Sequence, residues 1–126
     1  MLPGRILCID DEEVGLLVRK MTLEAEGYDV AIASDGPSGL VLFGSQPFDL
    51  VLLDHSMPGM NGGQVAEQLR QRSPGIPIVL LSAYVTLPEE HIAIVDAYIT
   101  KGESTDLLLT TVRQLIEKAK RGGLAK

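Results

Sequence analysis

The sequence predicts a doubly wound α/β domain in which helices flank a five-stranded parallel sheet. Short β-rich apolar runs and stretches with helical spacing alternate five times along 126 residues. Three of the five runs are apolar throughout, as strands covered on both faces should be. The length suits one domain with a sizeable core, and a hydrophobic fraction of 45% excludes a disordered chain. We expect a single domain over residues 1–126, with its core at about 4–121 and residues 122–126 as a tail or the start of a linker.

The elements follow in order. Ile6-Leu7-Cys8-Ile9 forms the first strand. Val14, Leu17, Val18, Met21 and Ala25 recur at i, i+3, i+4, i+7 and i+11, predicting a helix with these residues as its apolar stripe and Gly27 as its stop. Tyr28 to Ile32 is the second strand, and Asp35-Gly36-Pro37 opens a short helix built on Leu40 and Phe43. After the third strand, Leu50 to Leu53, Asn61 caps a helix through Val65, Ala66 and Leu69 that ends before Ser73-Pro74-Gly75. The fourth strand is Ile78 to Leu81. Pro88 then makes any helix between Ser82 and Asp96 short or irregular. Ala97-Tyr98-Ile99 is the last strand. Ser104 caps a helix striped by Leu108, Val112, Leu115, Ile116 and Ala119, and Gly122-Gly123 ends it.

Composition narrows the function. The formal charge is −6, which argues against a general nucleic-acid binder. The charge is uneven: residues 1–110 hold 6 basic and 16 acidic side chains, and residues 111–126 hold 5 and 1. The basic end, Arg113, Lys118, Lys120, Arg121 and Lys126, reads as a helix terminus that complements its dipole. One cysteine, Cys8, allows no internal disulfide, and no apolar stretch is long enough for export or membrane spanning. A cytoplasmic location is expected.

In a doubly wound sheet the working site lies beyond the carboxyl ends of the strands, near the switch point in strand order. Those ends carry Asp10-Asp11, Asp54, Ser82 and Lys101. Taken singly, each has an ordinary explanation as a turn, a cap or a solvated charge. Together they bring three carboxylates, a hydroxyl and an ammonium to one sheet edge. Two carboxylates about 5 Å apart at an effective dielectric of ~20 repel by ~3 kcal/mol. Such a group must raise a pKa or hold a cation, and oxygen donors with open positions suit Mg²⁺. A phosphoryl anion bridged by metal, with a carboxylate as nucleophile, fits this set.

These residues carry a resemblance. Over roughly residues 4–121 the chain resembles the response-regulator receiver domain, the phosphoacceptor module of two-component signalling, a flavodoxin-like fold. The likeness rests on Asp10-Asp11, on Asp54-His55-Ser56-Met57-Pro58-Gly59-Met60-Asn61-Gly62, on Ser82-Ala83, and on Lys101 with Tyr98 three residues before it. It implies that Asp54 accepts a phosphoryl group from a histidine kinase or a histidine phosphotransfer protein. It implies that Mg²⁺ is held by Asp11, Asp54 and the Ser56 carbonyl, with Asp10 acting through water. Lys101 and the Ser82 hydroxyl would contact phosphoryl oxygens, and Ser82 with Tyr98 would form the switch. The output face would be the segment 84–95, strand five and the last helix, meeting a downstream protein or an attached output domain. A homodimer is compatible with this reading. No enzyme activity beyond phosphoryl acceptance and slow self-dephosphorylation is expected.

The sequence departs from the family pattern in four places. Gly102 follows Lys101 where the family usually has proline, so a cis bond is not expected and the loop is freer. Only 19 positions separate Ser82 from Lys101, and the usual glycine before strand five is missing. Ser56 and Tyr84 stand where the family tunes phosphoryl loss, and His55 directly follows Asp54. We assign His55 no role and see no partner with metal spacing for His91. Cys8 packs as a small hydrophobe, and Met21, Met57 and Met60 fill gaps or cover a turn. The competing reading is a receiver-fold interaction module not regulated by phosphate. A metal-dependent phosphohydrolase lacks a cap domain here, and a flavin site lacks its phosphate loop.

Overall fold

The computed structural model describes residues 3–83 and 86–124; Tyr84 lies outside them. Five parallel strands, β1 (Arg5–Ile9), β2 (Asp29–Ala33), β3 (Leu50–Asp54), β4 (Ile78–Ser82) and β5 (Ala97–Thr100), stand in the order β2-β1-β3-β4-β5. The expected architecture is present. Alternation along each strand divides the core in two. Leu7, Ile9, Val51, Leu53, Ile78 and Leu80 face α2 (Gly36–Ser45) and α3 (Gly62–Arg72), against which α4 (Glu89–Ile92) packs. Ile6, Cys8, Leu50, Leu52, Val79 and Leu81 face α1 (Glu13–Ala25) and α5 (Thr105–Leu124). All of these strand residues are buried, which accounts for runs apolar at every position.

The caps act as expected. Asp35 accepts a hydrogen bond from Ser38 N–H, and Asn61 and Gln64 form a reciprocal capping box at α3. Ser104 Oγ accepts from Leu107 N–H at 3.2 Å. α4 is a single turn of four residues beginning after Pro88. Below it, Arg70 donates to the carbonyls of Ile94, Pro74 and Ile76 and pairs with Asp96, tying α3 to the approach to β5. Cys8 is buried, and burial pushes its thiol up to about 12, so it is an inert packing residue.

Two helix expectations are corrected. The α1 stripe does not face the sheet: Val14 is 77% and Met21 69% exposed, and Leu17, Val18 and Ala25 are exposed as well. Leu16 and Leu23 supply the buried contact instead. Both sets follow helical spacing, so periodicity alone could not choose between them. Met21 therefore fills no gap, whereas Met57 is buried under the loop after β3. At the other end, α5 continues through Gly122-Gly123 to Leu124. Two glycines weaken a helix without ending it unless the backbone turns left-handed.

Candidate functional site

The register places the acids. Ile9 pairs with Leu53, so Asp10, the next residue, stands beside Asp54 at the β1/β3 switch point. One carboxylate oxygen from each of Asp10, Asp11 and Asp54 lies within 4.8 Å of the other two. Asp10 and Asp54 are almost fully buried, at 1% and 3% exposure, while Asp11 opens to solvent. On the other side Ser82 pairs with Thr100, and Lys101 follows directly. Its Nζ lies 3.0 Å from Asp54 Oδ1, 3.2 Å from Asp10 Oδ2 and 3.1 Å from Glu12 Oε1. One ammonium thus spans three carboxylates. Asp10 is held further by Glu12 N–H, which donates to Oδ1 at 2.9 Å, and by Arg19, whose guanidinium pairs with Oδ2.

Electrostatics follow from this crowding. Burial pushes the Asp54 acid up to about 6; the hydrogen bond from Lys101 opposes the rise, and the neighbouring Asp10 charge adds to it. Burial pulls the Lys101 ammonium down, but its hydrogen bonds to Asp54 and Glu12 and the surrounding negative charge outweigh that and hold its pKa above the ordinary value. The lysine stays charged at any physiological pH. Above about pH 6 the cluster carries ionised carboxylates that two cations neutralise only in part. Hard oxygen donors, one of them open to solvent, fit a divalent cation that retains waters.

The loop after β3 is fixed from below. His55 N–H donates to the Leu81 carbonyl at 2.8 Å, and Gly62 N–H donates to the His55 carbonyl at 3.0 Å. A Cβ at Gly62 would come within 2.5 Å of the Asp54 carbonyl oxygen, so glycine there lets α3 close against the strand end. Ser56 lies exposed on this loop, two residues beyond Asp54. Every peptide bond among the described residues is trans, and Gly102 takes φ of +100°. Lys101 N–H donates to the Ser82 carbonyl, which fixes the strand end and lets the side chain reach the acids without a proline behind it.

Ser82 is fully buried at the end of β4, and Tyr98 is half-buried in β5 against the cluster that contains Ile94 and Val95. The structure thus brings together Asp10, Asp11, Asp54 and Lys101, with Ser82 on the adjoining strand end and Tyr98 one layer away. Two features escaped the sequence. Arg19 joins the acids from α1, where arginine on a helix reads as a solvated charge. His55 Nε2 and His91 Nδ1 lie 2.9 Å apart, joining the residue after Asp54 to α4 across 36 positions. His91 thus has a hydrogen-bond partner in His55. The His55 ring, lowered in pKa by burial and by His91, is held neutral more readily than a free histidine.

Comparison with known proteins agrees with the geometry. The family model described as "Response regulator receiver domain" matches residues 6–113. An uncharacterized transcriptional regulatory protein of Bacillus subtilis, YkoG, is 33% identical over 121 residues, covering 94% of this chain and 53% of that protein. The chain therefore spans about half the length of curated relatives it matches. The crystal structure of the response regulator TrrA from Thermotoga maritima, in complex with Mg²⁺-BeF, is 35% identical at a TM-score of 0.85, covering 91% of this chain and 99% of that one. A CheY-like receiver domain from Methanospirillum hungatei is 31% identical at a TM-score of 0.89, covering 97% and 99%. The chain belongs to the response-regulator receiver domains, phosphorylation-controlled switches of two-component signalling.

Proposed function

We propose that Asp54 is the phosphoacceptor of this switch and that a histidine kinase or histidine phosphotransfer protein is its donor. The observation that carries the reading is the Lys101 ammonium lying on both Asp54 and Asp10 at the switch point. An Asp54 oxygen attacks the phosphorus of the donor phosphohistidine, the P–N bond breaks, and its electron pair leaves with the imidazole. The product is an aspartyl phosphate. Asp11, Asp54 and the Ser56 carbonyl would hold Mg²⁺, with Asp10 reaching it through water. The ion would offset phosphoryl charge, the main demand of such a transfer. Lys101 exchanges one Asp54 contact for a phosphoryl oxygen.

Ser82 then supplies the response. Its hydroxyl turns to a phosphoryl oxygen, and Tyr98 moves into the space beside it. Tyr98 packs on the side of the sheet that carries α4, so its movement reaches the face of α4, β5 and α5. A downstream protein or an attached output domain would read that face. The donor would approach from elsewhere: Val14, Leu17, Val18 and Met21 form an exposed apolar strip on α1, the helix that begins at the acids. Among the described residues no helix is long and apolar enough to cross a membrane. Membership of the receiver family supports a place in the cytoplasm. Incubation with Mg²⁺ and a small acyl or amido phosphate tests the assignment. Intact mass should rise by one phosphoryl group, and Asp54→Asn should abolish the gain; an equal gain in the variant would refute it.

A further inference from the structure

We infer that Arg19 is a built-in counter-cation that competes with the divalent ion for Asp10 and so sets the metal affinity of the site. The inference rests on the metal-site reading above. Asp10 is engaged on both oxygens by the protein itself. Oδ1 accepts from Glu12 N–H, and Oδ2 takes both the Lys101 ammonium and the Arg19 guanidinium. Three of its roughly four acceptor positions are thus taken, and a metal-bound water has to compete with the two cations on Oδ2. Lys101 is held by Asp54 and Glu12 as well. Arg19 has no other carboxylate partner among the described residues, so it is the one to leave.

The fold is built around this arginine. Gly15 lies one turn before Arg19 on the same helix face, and a Cβ there would stand 3.5 and 3.6 Å from the two terminal guanidinium nitrogens. A methyl group would fit in ordinary contact; a larger side chain would occupy the guanidinium's path. Glycine is a poor choice inside a helix, so its presence marks that path. The Arg19 side chain is itself 17% exposed, enclosed enough for its charge to act on the acids with little screening. It also lines a cleft of about 200 Å³ between α1 and α5, beside Val18, Thr22 and Leu108, which can receive the guanidinium when it leaves Asp10.

Around the basin stand four carboxylates, Asp10, Asp11, Glu12 and Asp54, and two cations, Lys101 and Arg19. A doubly charged ion therefore meets a net charge of about −2 with Arg19 present and about −3 without it. Removing the arginine should tighten metal binding and weaken the metal-free fold at once. A residue that merely packed would do only the second.

The test is calorimetric titration of the full chain with Mg²⁺, paired with thermal melts in chelator. Arg19→Met keeps the aliphatic stem and removes the charge, and should bind Mg²⁺ about tenfold more tightly. It should also melt earlier than wild type in chelator. Arg19→Lys keeps the charge and should bind Mg²⁺ close to the wild-type affinity. Gly15→Leu, which displaces the guanidinium without removing it, should shift affinity in the same direction as Arg19→Met. A wild-type response that Arg19→Met leaves within about twofold, or an equal shift in the Met and Lys variants, overturns the inference while leaving the metal site standing. A wild type with no Mg²⁺ response overturns both.

Discussion

Replacing Asp54 by asparagine should stabilise the metal-free protein at neutral pH, although it destroys the proposed phosphoacceptor. Asp54 is 3% exposed and its acid is pushed up from 3.8 to about 6 by burial. Ionising it in the folded state at pH 7.5 thus costs about 3 kcal/mol relative to the unfolded chain. Asparagine, a neutral stand-in for the protonated acid, removes that cost, which is already net of the Lys101 hydrogen bond. The gain is about 3 kcal/mol, or a rise of about 9 °C in Tm. The pH dependence has a definite sign. A raised carboxyl pKa favours the folded state below 3.8, and that advantage is lost as pH climbs through about 6. The variant's gain should accordingly be small near pH 4, grow up to about pH 6, and level off above it. Urea unfolding of both proteins in chelator, at several pH values from 4 to 8, measures the difference directly. A variant less stable than wild type at pH 7.5, or a difference that ignores pH, would refute the reasoning.

Other expectations follow from the same geometry. Mg²⁺ at ten times its dissociation constant should raise stability by about 1.4 kcal/mol, and Asp11→Asn should diminish that response in a melt series; a melting temperature indifferent to Mg²⁺ would count against the cluster as a cation site. Gly62→Ala should cost about 3 kcal/mol, because its Cβ meets backbone atoms of Asp54 and His55 at 2.5 and 2.8 Å, which cannot yield as a flexible side chain would. Gly44→Ala in α2, with nothing within 4 Å of the added carbon, should instead gain about 0.5 kcal/mol. Chemical denaturation of the pair separates close approach from a general dislike of substitution at glycine.

The strand ends were legible because their signals are local. An all-apolar run of four residues states where a strand lies, and the residue after it must sit at the sheet edge; Asp10, Asp54 and Ser82 were found that way, and Lys101 from the shorter run Ala97-Tyr98-Ile99. What escaped depended on which way a helix was turned. α1 has apolar residues on two sides, and the face with Leu16 and Leu23 is interrupted by Arg19, so hydrophobic spacing favoured the strip that is exposed. Burial of an arginine becomes intelligible only once Asp10 stands opposite it. The His55–His91 contact was hidden for a related reason: neither residue has a local partner, and only the packing of α4 over Gly63 brings the rings together. Lys101 shows the opposite case. Gly102 removed the expected proline, yet the backbone bond to Ser82 and the length of the lysine stem still delivered the ammonium to Asp54.

The most direct measurement is the position of the acyl phosphate. After phosphorylation with Mg²⁺ and a small donor, borohydride reduction converts an aspartyl phosphate to homoserine, which peptide mass mapping locates. Homoserine at position 54 alone is the expected result. A reduced residue at Asp10 or Asp11, or a phosphoryl group retained on His55 or His91, would contradict the account.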